Sequence, residues 1–188
     1  GERGLAPVRR LLAETELPPR MFHPTHVNRR KALFEEALSL AQQGVTIDVT
    51  AFPVEDGEDA WSAADAWERF QAADVPEQTL TISSDGGGCL PVFDDQGQLE
   101  RMDFARSEGL LHALMELRAR GHALADILPS MTSNVAKVLR LPGKGRLEPG
   151  LDADLLILDE HHRPRHVMAR GRWMVRDGQA VTRGTFES

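Results

Sequence analysis

The chain has no tyrosine, one cysteine and 5% aromatic residues, so aromatic surfaces and disulfides contribute little to what it can do. The single thiol, Cys89, cannot close an internal disulfide, which fits a reducing compartment. No stretch approaches the ~20 consecutive apolar residues that a membrane-spanning helix needs, and no charged-then-apolar leader opens the sequence. A basic block is also missing: 22 Lys and Arg are interspersed with 29 Asp and Glu, so nothing resembles a phosphate-binding footprint. These absences lead us to expect a soluble, cytoplasmic protein with neither nucleic acid nor membrane as a partner. Gly1 in place of an initiator Met leads us to expect a processed chain or a fragment. The 41% hydrophobic content is enough for a real core.

Apolar spacing predicts a helix over Leu5 to Ala13, stopped by Pro18-Pro19, then a strand in the short apolar segment that leads into Pro24-Thr25-His26. Leu33, Ala37, Leu38 and Ala41 recur at helical spacing across Ala32 to Gln43. Gly44 closes that helix, and the β-branched run Val45 to Thr50 reads as a strand. Asp59 to Ala73 and Gln78 to Ser83 repeat the helix and strand pattern, and this alternation predicts a parallel sheet of βα units. Asp85 to Gly97, rich in Gly, Pro and Asp, is expected to be a long functional loop. Helices are expected over Arg106 to Arg120, Leu124 to Leu128 and Ser133 to Leu139. After Pro142-Gly143, short apolar runs at Ala153 to Leu158, His166 to Ala169, Arg172 to Val175 and Ala180-Val181 suggest a small β-domain.

In parallel α/β architectures, ligands and catalysis gather at the C-terminal ends of the strands. Two of the expected strand ends carry capable groups: His23-Pro24-Thr25-His26-Val27-Asn28-Arg29 and Ser83-Ser84-Asp85-Gly86-Gly87-Gly88-Cys89. A neutral imidazole is a good zinc ligand, and an arginine three residues on can grip a carboxylate with two parallel hydrogen bonds. An aspartate backed by glycines allows a metal or substrate to approach the backbone closely. Taken singly, each also has a structural reading, as a hydrogen-bonded histidine or a turn-forming aspartate.

Taken together, Pro24-Thr-His-Val-Asn-Arg29, then Thr81-Ile-Ser-Ser-Asp-Gly-Gly-Gly88, then the segment from Thr132 through Leu147-Glu-Pro-Gly-Leu-Asp-Ala-Asp-Leu155 to Asp159 resemble the amidohydrolase superfamily. The first two segments resemble isoaspartyl (β-aspartyl) dipeptidases in particular, and the likeness runs from about Pro7 to Glu187. This resemblance implies an α/β fold, with residues 1–143 forming the C-terminal part of a (β/α)8 TIM-type barrel, about three βα units, and 144–188 belonging to a small β-domain. It implies a binuclear site for a divalent metal, zinc being expected, in which His26 and Asp85 match metal ligands. Asp85 also matches the aspartate that moves the proton, and Arg29 a substrate-binding arginine. Cys89 falls where the family has a substrate-contacting serine, and its thiol is a weaker donor. The implied reaction is metal-assisted hydrolysis of a small dipeptide, with Asp85 taking a proton from water and passing it to the leaving amine. A homo-oligomer is expected.

The superfamily's first-strand His-x-His, its bridging carboxylated lysine, its other histidine and the tyrosine that assists these dipeptidases have no counterpart in the sequence. A full barrel takes about 250 residues. A dihydroorotase-like or deaminase-like activity is the alternative within the superfamily, and a non-catalytic scaffold fragment the alternative outside it. Other motifs read as structural. His23 is expected to hydrogen-bond in the fold, and His161, His162 and His166 to lie in a solvated turn. Gly143-Lys144-Gly145 fails the phosphate-loop pattern. Asp152-Ala-Asp154 is read as a turn entering a strand, and Trp61, Trp67 and Phe70 as packing residues.

Overall fold

A computed structural model describes residues 4–94 and 96–184, apart from the side chains of Leu90 and Phe93. The last residues of the family-like segment, Thr185 to Glu187, lie outside that range. The chain divides into two compact units, Gly1–Val135 and Ala136–Ser188.

In the first unit, helix α1 (Ala6–Glu14) begins with a proline in its first turn, where the missing N–H has no helical partner to lose. Helix α2 (Lys31–Ala41) buries Phe34, Ala37, Leu38 and Ala41, an i, i+3, i+4, i+7 stripe. Gly44, at φ +91°, turns the chain into strand β1 (Ile47–Thr50). Helix α3 (Ala63–Ala72) is capped by Ser62, whose hydroxyl accepts the Asp65 N–H, and it buries Trp67 and Phe70. Strand β2 (Leu80–Ser83) lies parallel to β1, in register from Ile47 opposite Leu80 to Thr50 opposite Ser83. Because side chains alternate along a strand, Ile47, Val49, Leu80 and Ile82 share one face, and Asp48, Thr50, Thr81 and Ser83 the other. Every residue of β1 is buried. A parallel strand covered on both sides usually reads apolar throughout, so its polar face marks a special environment.

Two expectations are corrected. The segment leading into Pro24 is not a strand: Pro19–Met21 forms a 3-10 turn, and the parallel sheet of the described residues has two strands rather than three. The chain there does run beside β1, and the Pro24 carbonyl accepts the Asp48 N–H at 2.9 Å. Pro18, Pro19 and Pro24 have no N–H to give a ladder, which keeps this stretch from full pairing. The expected loop from Asp85 to Gly97 instead contains strand β3 (Cys89–Phe93), paired antiparallel with β4 (Leu99–Phe104). Helices α4 (Gly109–Ala119), α5 (Leu124–Met131) and α6 (Ser133–Val138) follow. Asn134 anchors this end of the chain to β2 by donating to the carbonyls of Glu77 and Leu80 at 3.0 and 2.9 Å.

In the second unit, β5 (Leu155–Leu158), β6 (Pro164–Ala169), β7 (Arg172–Arg176) and β8 (Gln179–Ala180) form an antiparallel sheet in chain order. Arg170-Gly171 and Asp177-Gly178 all take positive φ, as the tight turns of right-twisted hairpins require. The carboxylates of Asp152 and Asp154 both grip Lys144, at 2.8 and 2.5 Å, so this pair is an ion-paired turn.

Candidate active site

His26 stands at the entry to a 3-10 turn, Val27–Arg29, with its backbone in the left-handed region at φ 58°. Asp85, just past β2, is also left-handed at φ 52°. Such conformations are uncommon for residues with a Cβ and are held by their surroundings. Each is accompanied by a backbone hydrogen bond three residues on. The turn that places His26 and Arg29 close together is closed by the Arg29 N–H to the His26 carbonyl at 3.2 Å. The Asp85 carbonyl accepts the Gly88 N–H at 2.7 Å, and a Cβ on residue 88 would sit 2.7 Å from Asp85 Oδ1, so only glycine fits there.

These two turns bring three of the four candidate residues together at one atom. Asp85 Oδ2 accepts from Arg29 Nη2 at 3.2 Å and lies 3.9 Å from His26 Nε2. All three side chains are partly exposed, at 34% for His26, 29% for Asp85 and 39% for Arg29, so the cluster is open to solutes. Arg29 also stands over the Phe52 ring, 5.8 Å from its centroid. The fourth candidate, Cys89, is exposed at the start of β3 opposite Phe104 and makes no hydrogen bond to the other three among the described residues. His23 bonds through Nδ1 to the Thr46 hydroxyl at 3.0 Å, and that hydroxyl donates onward to the Phe22 carbonyl.

Beneath the cluster, the polar face of the parallel sheet supplies residues that the sequence did not single out. Thr50 Oγ1 lies 2.6 Å from His26 Nδ1, which leaves Nε2 as the nitrogen turned toward Asp85. Asn28 is fully buried and clamps the Thr50 backbone: its Oδ1 accepts the Thr50 N–H and its Nδ2 donates to the Thr50 carbonyl, both at 2.9 Å. The same amide donates to the Trp61 carbonyl at 2.8 Å. Asp48 is only 4% exposed, and its two oxygens accept the hydroxyls of Thr81 and Ser83 at 2.6 Å each. Burial pushes the Asp48 carboxyl above its ordinary range, against the opposing hydrogen bonds of Ser83 and Thr81. An aspartate inside a short strand flanked by isoleucine and valine was the available signal for it.

Two ligands at about 2.0–2.2 Å on a tetrahedral zinc ion stand about 3.4 Å apart. His26 Nε2 and Asp85 Oδ2 are 3.9 Å apart, so an imidazole nitrogen and a carboxylate oxygen of the right chemistry for a shared divalent ion would have to close by about half an ångström to hold one. Among the described residues, no group of three or more His, Cys, Asp or Glu is placed to hold a metal.

Comparison with known proteins gives this arrangement a family. The amidohydrolase family matches residues 21–175, and the chain belongs to it. A structure of beta-aspartyl dipeptidase from Fervidobacterium islandicum AW-1 in complex with beta-Asp-Leu dipeptide superimposes with a TM-score of 0.88 at 32% identity, covering 98% of this chain and 48% of that one. A second structure of that dipeptidase gives a TM-score of 0.82 at 28% identity, over 98% and 46%. The chain thus spans about half the length of these structures. The formyltransferase/hydrolase complex of Methylorubrum extorquens shares the fold alone, with a TM-score of 0.55 at 17% identity over 85% of this chain and 43% of that one. The chain is a hydrolase-family protein, and its family generally uses divalent metals. Among the described residues, no helix is long and apolar enough to cross a membrane.

Proposed function

We propose that this chain contributes the C-terminal part of a metal-dependent hydrolase of isoaspartyl dipeptides, with residues 1–143 belonging to a (β/α)8 barrel and 144–188 to a small β-domain. One observation carries the reading: His26 and Arg29 converge on a single oxygen of Asp85 at the end of a parallel strand. The 32% identity to a β-aspartyl dipeptidase over nearly the whole chain supports it.

In this reading, His26 through Nε2 and Asp85 through Oδ2 would hold zinc or another divalent ion. Bound metal lowers the pKa of water and polarises a carbonyl. The chain's own residues do the rest. Arg29 releases Asp85 when substrate arrives and grips a substrate carboxylate, for which its planar fork is suited. Asp85 takes the proton from the attacking water and hands it to the leaving amine, so one group serves as base and then acid. Cys89, four residues on, stands at the substrate side.

The test is hydrolysis by the zinc-loaded complete enzyme of which this chain forms the C-terminal part, the 188 residues alone being expected to be inactive. Release of leucine from β-Asp-Leu, with no action on cyclic amides such as dihydroorotate, is the expected result. Asp85→Asn should lower kcat by about 10²–10⁴-fold, the range of general acid–base catalysis. Turnover of the cyclic amide and not of the dipeptide would assign the chain to another branch of the superfamily.

A further inference from the structure

The hairpin of β3 and β4 has two unlike edges. Among the described residues it is a two-stranded sheet, so each strand has one edge without a partner. Ala105, just past β4, donates its N–H to the Gly88 carbonyl and accepts the Gly87 N–H, both at 2.9 Å, and so turns its backbone groups toward the β3 side. Backbone groups alternate in direction along a strand, so Phe104, Met102 and Glu100 aim theirs the other way, off the open edge. The residue of β3 opposite Met102 is Pro91. By the same alternation its nitrogen faces out from β3, where a proline, with no N–H to offer, closes the edge to further pairing. The outer edge of β3 is thus blocked, and that of β4 is not.

The open edge is also apolar. Phe104 and Met102 are 67% and 45% exposed. They share a face with their cross-strand partners, Cys89 and Pro91. A two-stranded hairpin without cover is marginal in water, and an exposed apolar edge is a template for another strand.

Charge decides which strand that is. The other face of β4 carries Leu99, Arg101 and Asp103, and Arg101 Nε binds Asp103 Oδ2 of its own strand at 3.2 Å. Antiparallel pairing of β4 with a second β4, about a two-fold axis through Met102, puts Arg101 opposite Asp103 of the second copy and Asp103 opposite its Arg101. Met102 then faces its own copy, each aiming its N–H and carbonyl at the other, and Glu100 exchanges the same bonds with Phe104. Moving the axis to Glu100, Arg101 or Asp103 sets a charge against itself, which is destabilising. Moving it to Phe104 leaves Asp103 opposite Ala105. One register therefore satisfies the backbone and the charges together.

We infer that the open edge of β4 is a docking surface for a second copy of this protein, joined antiparallel about Met102 so that the two hairpins form one continuous sheet. Such a contact is isologous, as a two-fold dimer requires. It is independent of the substrate assigned above.

The experiment is sedimentation equilibrium of the complete enzyme over a range of concentrations, for wild type, Met102→Pro, Arg101→Asp and Asp103→Arg. Wild type is expected as a dimer or an even multiple of it. Met102→Pro removes an outward N–H without touching a bond to β3, and each charge reversal sets like charges opposite each other. Each substitution should raise the dissociation constant of the dimer by at least about tenfold. Mixed in equal amounts, the Arg101→Asp and Asp103→Arg proteins place opposite charges opposite again and should associate with each other close to the wild-type constant. A wild type that stays a single subunit, or an assembly that withstands the substitutions, would overturn the inference, the edge then being covered by another part of the same protein. Failure of the mixture to recover would overturn it as well, since the reversals would then have acted by unfolding the hairpin.

Discussion

Thr50 Oγ1 lies 2.6 Å from Nδ1 of His26, and this bond decides which imidazole nitrogen faces Asp85. Partners of this kind fix the tautomer and orientation of metal-binding histidines, and their loss costs about 10–100-fold in metal affinity or activity. Thr50→Val, nearly isosteric, should weaken divalent-metal binding by about that factor, measured by chelator competition on the full chain. Thr50→Ser, which keeps the hydroxyl, should restore it. Unchanged affinity in Thr50→Val would show that the imidazole is oriented by packing alone.

Asn28 has no room to lose its partners. It is fully buried and satisfies both the N–H and the carbonyl of Thr50 as well as the Trp61 carbonyl. Asn28→Ala would strand those backbone groups away from water, at a cost of about 2–4 kcal/mol in stability. Denaturant unfolding measures this. A loss of under about 0.5 kcal/mol, typical of an ordinary surface change, would mean that the clamp is dispensable.

The difference between these residues and His26 shows what a sequence can reveal here. The helices α2 and α3 and the strands β1 and β2 were legible because their apolar stripes and β-branched runs are local patterns. His26, Arg29 and Asp85 were legible because they sit in short family-like motifs at turns, and the structure brings all three to one atom. Asn28 lies inside the same motif, yet its partner Thr50 is 22 residues away, and no local pattern reports such a contact. The hairpin of β3 and β4 was hidden for another reason. Leu99 to Phe104 is almost wholly exposed, so its residues do not alternate between core and water, and Pro91 sits within the opposing strand. The segment before Pro24 erred in the opposite direction: apolar content suggested a strand, but three prolines removed the donors that a ladder needs.

Asp48 yields a pH prediction of one sign. Burial raises its carboxyl above the ordinary 3.8 despite the hydroxyls of Ser83 and Thr81, so the folded protein binds this proton more tightly than the unfolded chain does. The stability linked to that proton is fully present below 3.8 and is lost as pH rises through the elevated value. Asp48→Asn stays neutral, so its stability relative to wild type should improve steadily as pH is raised from acid toward neutral. Urea unfolding of both proteins across that range measures the difference. A wild type that gains on the variant with rising pH would mean that the two hydroxyls outweigh burial.

Glu68 should behave in the opposite way. On the face between α3 and α4 it accepts from His122 Nε2 and from Arg120, both at 2.7 Å, while Arg120 also binds Asp65 and Glu116 at 2.9 and 2.6 Å. The His122 hydrogen bond first, and Arg120 after it, hold the Glu68 carboxyl below its ordinary 4.5. A depressed carboxylate contributes stability above its ordinary value and gives it up as pH falls through the lowered one. Glu68→Gln should therefore be less stable than wild type near neutral pH, and the gap should close on acidification below 4.5. The group is partly exposed, so added salt should shrink the gap as well. Thermal unfolding at several pH values and two salt concentrations separates this account from a packing effect, for which the gap would move with neither.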